Sequence, residues 1–242
     1  MFNFIIYIIM EKPLKGYNIV EFAGIGPGPH AGMFLADLGA QVIEINRIIP
    51  TDNGIPLDYK FDLLRRGKKS ICLDIKSQIG QEIAKKIINT SDVLIDPFRP
   101  GVMEKLNLGP KDCFETNEKL IYGRMTGFGQ DGPMAKEAGH DLNYISLSGV
   151  LSGIGEKNSN PIPPLNLIGD FGGGGNYLVI GIISALLSRE KTKKGIVIDA
   201  SMVDGSAHLM TLFYGLNAAG ILDKKRGYNI LDGGAPYYKT YK

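Results

Sequence analysis

Between Tyr17 and Arg47 the chain reads strand, glycine-rich turn, helix, strand: YNIVEF, AGIGPGP, the apolar-periodic HAGMFLADLGA, then QVIEINR. This is a βαβ unit, in which the helix supplies the crossover that parallel strands require. The alternation then recurs. SICLDIK reads as a strand, Ser77 as an N-cap, Ile79, Ile83, Ile87 and Ile88 as the inner face of a helix opposite Lys85 and Lys86, and DVLIDPF as the returning strand. PKDCFETNEK reads as a short helix and LIYGRMTGF as a strand. Helices are expected over 141–151 and 204–219, a strand over 196–200, and a core helix, apolar nearly all round, over 175–187. The expected class is α/β, a largely parallel sheet built from Rossmann-like βαβ units and covered by helices.

Composition narrows the possible functions. With 44% apolar and 21% charged residues the chain has ordinary globular composition. A net charge of +2 gives no general attraction to nucleic acid or anionic membrane, and no aromatic stacking array accompanies the basic residues. The N-terminal FNFIIYII is far shorter than the roughly 20 residues of a membrane span and lacks a signal peptide's basic flank and cleavage site. Residues 1–12 are therefore read as an extension, with Met10 as an alternative start, and the 175–187 segment is also too short to span. Cys72 and Cys113 have no metal-ligand spacing. They are expected to be free thiols in a reducing, cytoplasmic compartment, with no metal site.

Gly24, Gly26 and Gly28, with Glu44 near the end of the next strand, imitate a dinucleotide fingerprint, but Pro29 replaces the third glycine and Pro27 interrupts the turn. Arg47, just past that strand, is placed to meet a phosphate on an adenosine ribose, as in NADP or CoA. The loop alone does not separate the two. The run Arg65, Arg66, Lys68, Lys69 reads mainly as a solvated turn, with a role beside a diphosphate as the alternative.

The sequence AGHDLNY places His140 at a predicted helix N-terminus, and NLIGDFGGGG places Asp170 thirty positions later. A base on one face of a substrate carbon and an acid on the other would make a two-base proton-transfer site. The Asp141 main-chain N–H, free in the first helical turn, would face charge growing on a carbonyl oxygen. The plain alternatives are a helix cap for His140, a dipole partner for Asp141 and an N-cap for Asp170. His208 reads as a helix-surface partner of Asp204, and His30 as a neutral ring at a helix start.

In order, FAGIGPGPHAGMFLADLGA, SDVLIDPFRPGVMEKL, KLIYGRMTGFGQDGP, AGHDLNYISLSGVL, PPLNLIGDFGGGG and GIVIDASMVDGSA resemble the family III CoA transferases from about Pro13 onward. The likeness is greatest to a branch that racemises 2-methyl-branched acyl-CoA thioesters. It implies that residues 13–220 are the CoA-binding and catalytic large domain, and that 221–242 are a linker and the start of a truncated small domain; the composition of YYKTYK itself reads as the start of a strand. It also implies that Arg47, Leu73, Asp74, Ile75, Lys76, Arg99, Gly139, Leu142, Asn143 and Tyr144 contact the acyl-CoA, and that His140 and Asp170 are the bases. CoA is then part of the substrate and no separate cofactor is needed. The expected assembly is an interlocked homodimer. The rival readings are a transferase of the same fold with Asp141 as nucleophile, and an inactive CoA-binding fragment.

Overall fold

In the computed structural model, which describes residues 11–49 and 57–241, strands β1 (Asn18–Phe22), β2 (Gln41–Asn46), β3 (Lys68–Cys72), β4 (Val93–Asp96), β5 (Ile121–Thr126) and β6 (Ile196–Ser201) form one sheet. Every pairing is parallel and the order is β3-β2-β1-β4-β5-β6. The expected α/β class is therefore observed. FNFIIYII lies outside the described residues.

Side chains alternate across the central strands with the period of two that a pleated backbone imposes. Ile19 enters a core beneath α1 (Pro27–Asp37), whereas Val20 and Phe22 enter a second core beneath α2 (Gln78–Asn89), α3 (Val102–Lys105) and α4 (Pro110–Phe114). Burial on both faces explains why β4, VLID, has no exposed position. The chain runs outward from β1 to β3, then returns beside β1 as β4. This reversal opens a crevice at the carboxyl ends of β1 and β4, where open parallel sheets hold ligands.

Several boundaries differ from expectation for identifiable local reasons. α1 begins at Pro27, inside the glycine run, because proline's fixed φ suits the first helical position and Gly26 supplies the positive φ before it. β3 stops at Cys72, so Leu73–Lys76 is a turn: the Asp74 side chain accepts the Lys76 N–H at 3.1 Å. Ser77 does cap α2, accepting the Gly80 N–H at 3.1 Å. The buried stripe of α2 is Gly80, Ala84 and Ile88, whereas Ile79 is 71% exposed. A side chain at position 80 would meet the Asp74 carbonyl oxygen, so the small residues face inward.

The region around Asp170 departs furthest. Leu167–Gly175 is π-helical and runs directly into α6 (Asn176–Thr192), after α5 (Asp141–Leu147) and a 3-10 turn, Val150–Gly153. Asp170 is thus inside a helix and does not cap one. Wide π turns are uncommon and concentrate at functional sites. Glycines let this segment touch its neighbours at backbone distance. A Cβ on Gly205, in α7 (Met202–Leu209), would stand 1.8 Å from the Gly173 carbonyl oxygen.

The continuous helical run Leu167–Thr192, 26 residues, is long and apolar enough to cross a membrane, so the expected argument from shortness fails. Leu178, Val179, Ile182, Ala185 and Leu186 instead pack in the core. Ile180 and Leu187 are exposed, which corrects the expectation of burial all round. The helix expected over 204–219 is two, α7 and α8 (Thr211–Ala218), meeting at Met210. Residues 237–239 form a turn and bends, and 240–241 have no regular structure, in place of the expected strand.

In the basic run 65–69, Arg66 and Lys69 are exposed as expected, whereas Arg65 and Lys68 are withdrawn from solvent into ion pairs. Arg65 pairs with buried Glu44 at 2.6 Å, and Arg66 pairs with Asp37. The Lys68 ammonium is fully buried, bonding the Glu21 carboxylate at 2.7 Å and the Pro29 carbonyl at 2.9 Å. Burial pushes Glu21 up to about 7, with Lys68 drawing it back. No side chain fits at Gly32, whose Cβ would stand 1.7 Å from the Glu21 carboxylate.

Candidate active site

Two adjoining hollows occupy the carboxyl edge of the sheet, at the reversal point. The turn after β4 divides them, and Phe98 and Arg99 line both. That turn is held from beneath: the buried Asp96 side chain accepts the Phe98 N–H at 2.9 Å. Burial pushes Asp96 up to about 7, the hydrogen bond from Phe98 opposing it.

The first hollow, about 260 Å³, is lined by His140, Asp170, Tyr144, Gly139 and Arg99, with Pro27, Phe128 and Met202 among its apolar walls. The two expected bases therefore share one cleft. His140 is the extended N-cap of α5, exposed, and its main-chain N–H bonds the Asn143 side chain at 2.9 Å. Asp170 is half-buried. Its side chain accepts from the Asn166 amide at 3.2 Å and lies against Gly26, where a Cβ would stand 3.0 Å from the carboxylate. Burial raises the Asp170 pKa; the Asn166 hydrogen bond opposes this, the neighbouring Asp141 carboxylate adds to it, and His140 lowers it. Tyr144, packed edge-on against Phe128, is pushed up to about 12 by burial and then by Asp170.

Asp141 does not line the cleft. It is 5% exposed, and its carboxylate accepts the Asp170 main-chain N–H at 2.8 Å. The Asp141 carboxylate, expected as a nucleophile in the rival transferase reading, is thus enclosed behind the wall and stands apart from the cleft lining. Its first-turn N–H keeps the orientation that a helix start dictates. Leu142 and Asn143 also fall outside the lining: Leu142 turns outward and Asn143 caps its own helix.

The second hollow, about 870 Å³ and mostly apolar, gathers the other expected contacts. Arg47 and Lys76 stand at its rim, with Leu73, Asp74, Ile75 and Arg99 in the lining. Sequence reading missed Ile48, Ile49, Val102 and Lys105, which line it too. Glu44 is closed off behind Arg65. The remaining histidines lie outside both hollows. His208 bonds the Tyr177 hydroxyl at 2.6 Å, not Asp204 as expected. Among the described residues no cluster of three or more His, Cys, Asp or Glu could hold a metal ion.

Asn166 and Gly26 were not foreseen as partners of Asp170. Asn166 lies four residues before it, a helical spacing visible only once the glycine-rich segment is read as helix.

Residues 14–242 match the profile of CoA-transferase family III. The alpha-methylacyl-CoA racemase of Mus musculus is 49% identical over 229 residues, covering 95% of this chain and 58% of the relative. The succinyl-CoA:glutarate CoA-transferase of Homo sapiens is 33% identical over 201 residues, covering 79% of this chain and 45% of the relative. A crystal structure of a CaiB/BaiF family protein from Brucella suis superposes with a TM-score of 0.81 at 32% identity, over 90% of this chain and 60% of that one. The chain thus spans about half the length of such relatives, and its sequence and overall fold agree with theirs. It belongs to CoA-transferase family III.

Proposed function

We propose that this chain is the CoA-binding and proton-exchanging part of an isomerase that racemises 2-methyl-branched acyl-CoA thioesters. The observation that carries the reading is the presence of His140 and Asp170 in one cleft, supported by the high similarity to an alpha-methylacyl-CoA racemase.

The imidazole of His140 takes the proton from the α-carbon. The C–H electron pair becomes the enolate double bond, and the thioester carbonyl pair moves onto oxygen, toward the start of α5, where the first-turn main-chain N–H groups have no intrahelical acceptor. The Asp170 carboxyl returns its own proton to the opposite face. His140 then holds a proton and Asp170 has lost one, so solvent exchange or the reverse reaction restores the site. Burial in the cleft shifts Asp170 toward its protonated form. CoA would lie in the larger hollow, with Arg47 and Lys76 near its phosphates. The reading calls for no further cofactor and for a homodimer of the complete protein acting in the cytoplasm.

A second reading, acyl transfer, is favoured by the likeness to a succinyl-CoA:glutarate CoA-transferase. The carboxylate available as nucleophile would then be Asp170, since Asp141 is enclosed. Incubating the complete protein with each stereoisomer of a 2-methylacyl-CoA in deuterated water separates the two. Racemisation gives α-deuterium and both isomers. Thioester transfer to an added carboxylate without α-deuterium selects the transferase.

A further inference from the structure

The two proposed bases lie thirty positions apart in sequence, on different helices, yet must hold opposite faces of one carbon. Proton transfer tolerates little error in that offset, and a displacement of about 1 Å can cost about 100-fold in rate. One side chain joins the two directly. Asp141 follows His140 in the chain, and its Oδ2 accepts the main-chain N–H of Asp170 at 2.8 Å. The contact is tight: a Cβ on Gly169 would stand 2.8 Å from the same oxygen, so only glycine lets the π-helical segment come this close. The carboxylate's other oxygen is buried without a hydrogen-bond partner among the described residues. Asp141 therefore gives up solvation to make this one link, which a solvated cap residue would not need to do.

We infer that Asp141 is the positioning residue that sets the offset between His140 and Asp170 by clamping the Asp170 backbone to the start of α5. This deepens the two-base reading and rests on it. The clamp holds the peptide of Asp170 while the Asn166 amide bonds its carboxylate, which the missing side chain of Gly26 leaves room for. The charged and titratable groups around Asp170 are His140, Asp141 and Tyr144 from α5 and Arg99 from the turn after β4. His30 from α1 reaches the segment through Phe171, and on α7 His208 is engaged by Tyr177. Asp141 also raises the pKa of Asp170, so removing its charge has a signature that lost packing does not produce.

The test uses the complete protein and its Asp141→Ala and Asp141→Asn variants, measuring α-proton exchange against pH and CoA binding. Alanine leaves the Asp170 N–H without its acceptor, and kcat should fall ~30-fold with the CoA Kd unchanged. Asparagine keeps an oxygen at the same place and should recover most of that loss. In both variants the pH limb that reports Asp170 should move to lower pH. Wild-type exchange rates in the alanine variant, with an unmoved limb, would remove the positioning role and leave the two-base reading standing. Asparagine as inactive as alanine, with CoA still bound, would overturn it too, by giving the carboxylate a chemical role. No exchange by the wild-type protein would overturn both readings.

Discussion

The imidazole of His30 lies parallel to the ring of Phe171, with centroids 4.7 Å apart. Phe171 follows Asp170, so this stack braces the segment from the α1 side. His30 has a buried Nδ1 with no partner among the described residues, and burial, then Arg66 and Lys68, lowers its pKa. The folded protein thus disfavours the imidazolium. Its contribution to stability is complete above the ordinary histidine pKa and is lost as pH falls through the depressed folded value. His30→Phe keeps an aromatic ring in the stack and cannot titrate. Its melting temperature relative to wild type should rise between pH 7 and pH 5, and a pH-independent difference would show that His30 is not held neutral.

The base assignment predicts two inactive variants. His140→Ala and Asp170→Asn should each reduce racemisation by at least about 100-fold, within the range general acid or base catalysis contributes, while CoA binding stays near wild type. Stopped-flow or isotope assays on both stereoisomers measure this. Activity surviving in His140→Ala but lost in Asp170→Asn would favour the transferase reading.

Arg47 stands at the rim of the larger hollow. If it meets the 3′-phosphate of CoA, Arg47→Ala should weaken CoA by ~10-fold or more, as expected for a charge-assisted contact of 1.5–3 kcal/mol. Binding of 3′-dephospho-CoA should change little. Calorimetry with both ligands decides, and equal weakening would place Arg47 elsewhere.

Asp96 supports the turn shared by both hollows from a buried position, and its folded pKa is raised from 3.8 to about 7. A raised carboxyl contributes stability that is fully present below the unfolded pKa and lost as pH rises through the folded one. Asp96→Asn keeps an acceptor for the Phe98 N–H and does not ionise. Relative to wild type it should gain stability from pH 5 to pH 8, on the order of 2 kcal/mol, measured by denaturant unfolding. A constant difference would show that Asp96 is not strained by ionisation.

Much of the scaffold was legible because its signals are local. Strand alternation in YNIVEF and QVIEIN, Ser77 before a periodic run, and His140 before DLNY depend on neighbours within a turn or two, so β1, β2, the α2 cap and the α5 start fall close to where they were expected. Ile79 was misassigned because Gly80, Ala84 and Ile88 lie on an adjacent stripe of the same helix, and only the approach of the Asp74 carbonyl chooses between the stripes.

The sequence by itself determined a parallel α/β sheet, its family, and the residue types able to exchange a proton, since periodicity and ordered motifs are properties of the chain. Tertiary structure decided which of those residues line the cleft. His140 and Asp141 are adjacent in the chain, yet one lines the cleft and the other is enclosed behind it, because successive side chains at a helix start diverge and the π-helical segment closes over the Asp141 carboxylate. Lys68 and Arg65 likewise read as solvated cations until the sheet placed Glu21 and Glu44 beside them. The free energy of a buried charge depends on a partner brought from far along the chain, and no local pattern encodes that meeting.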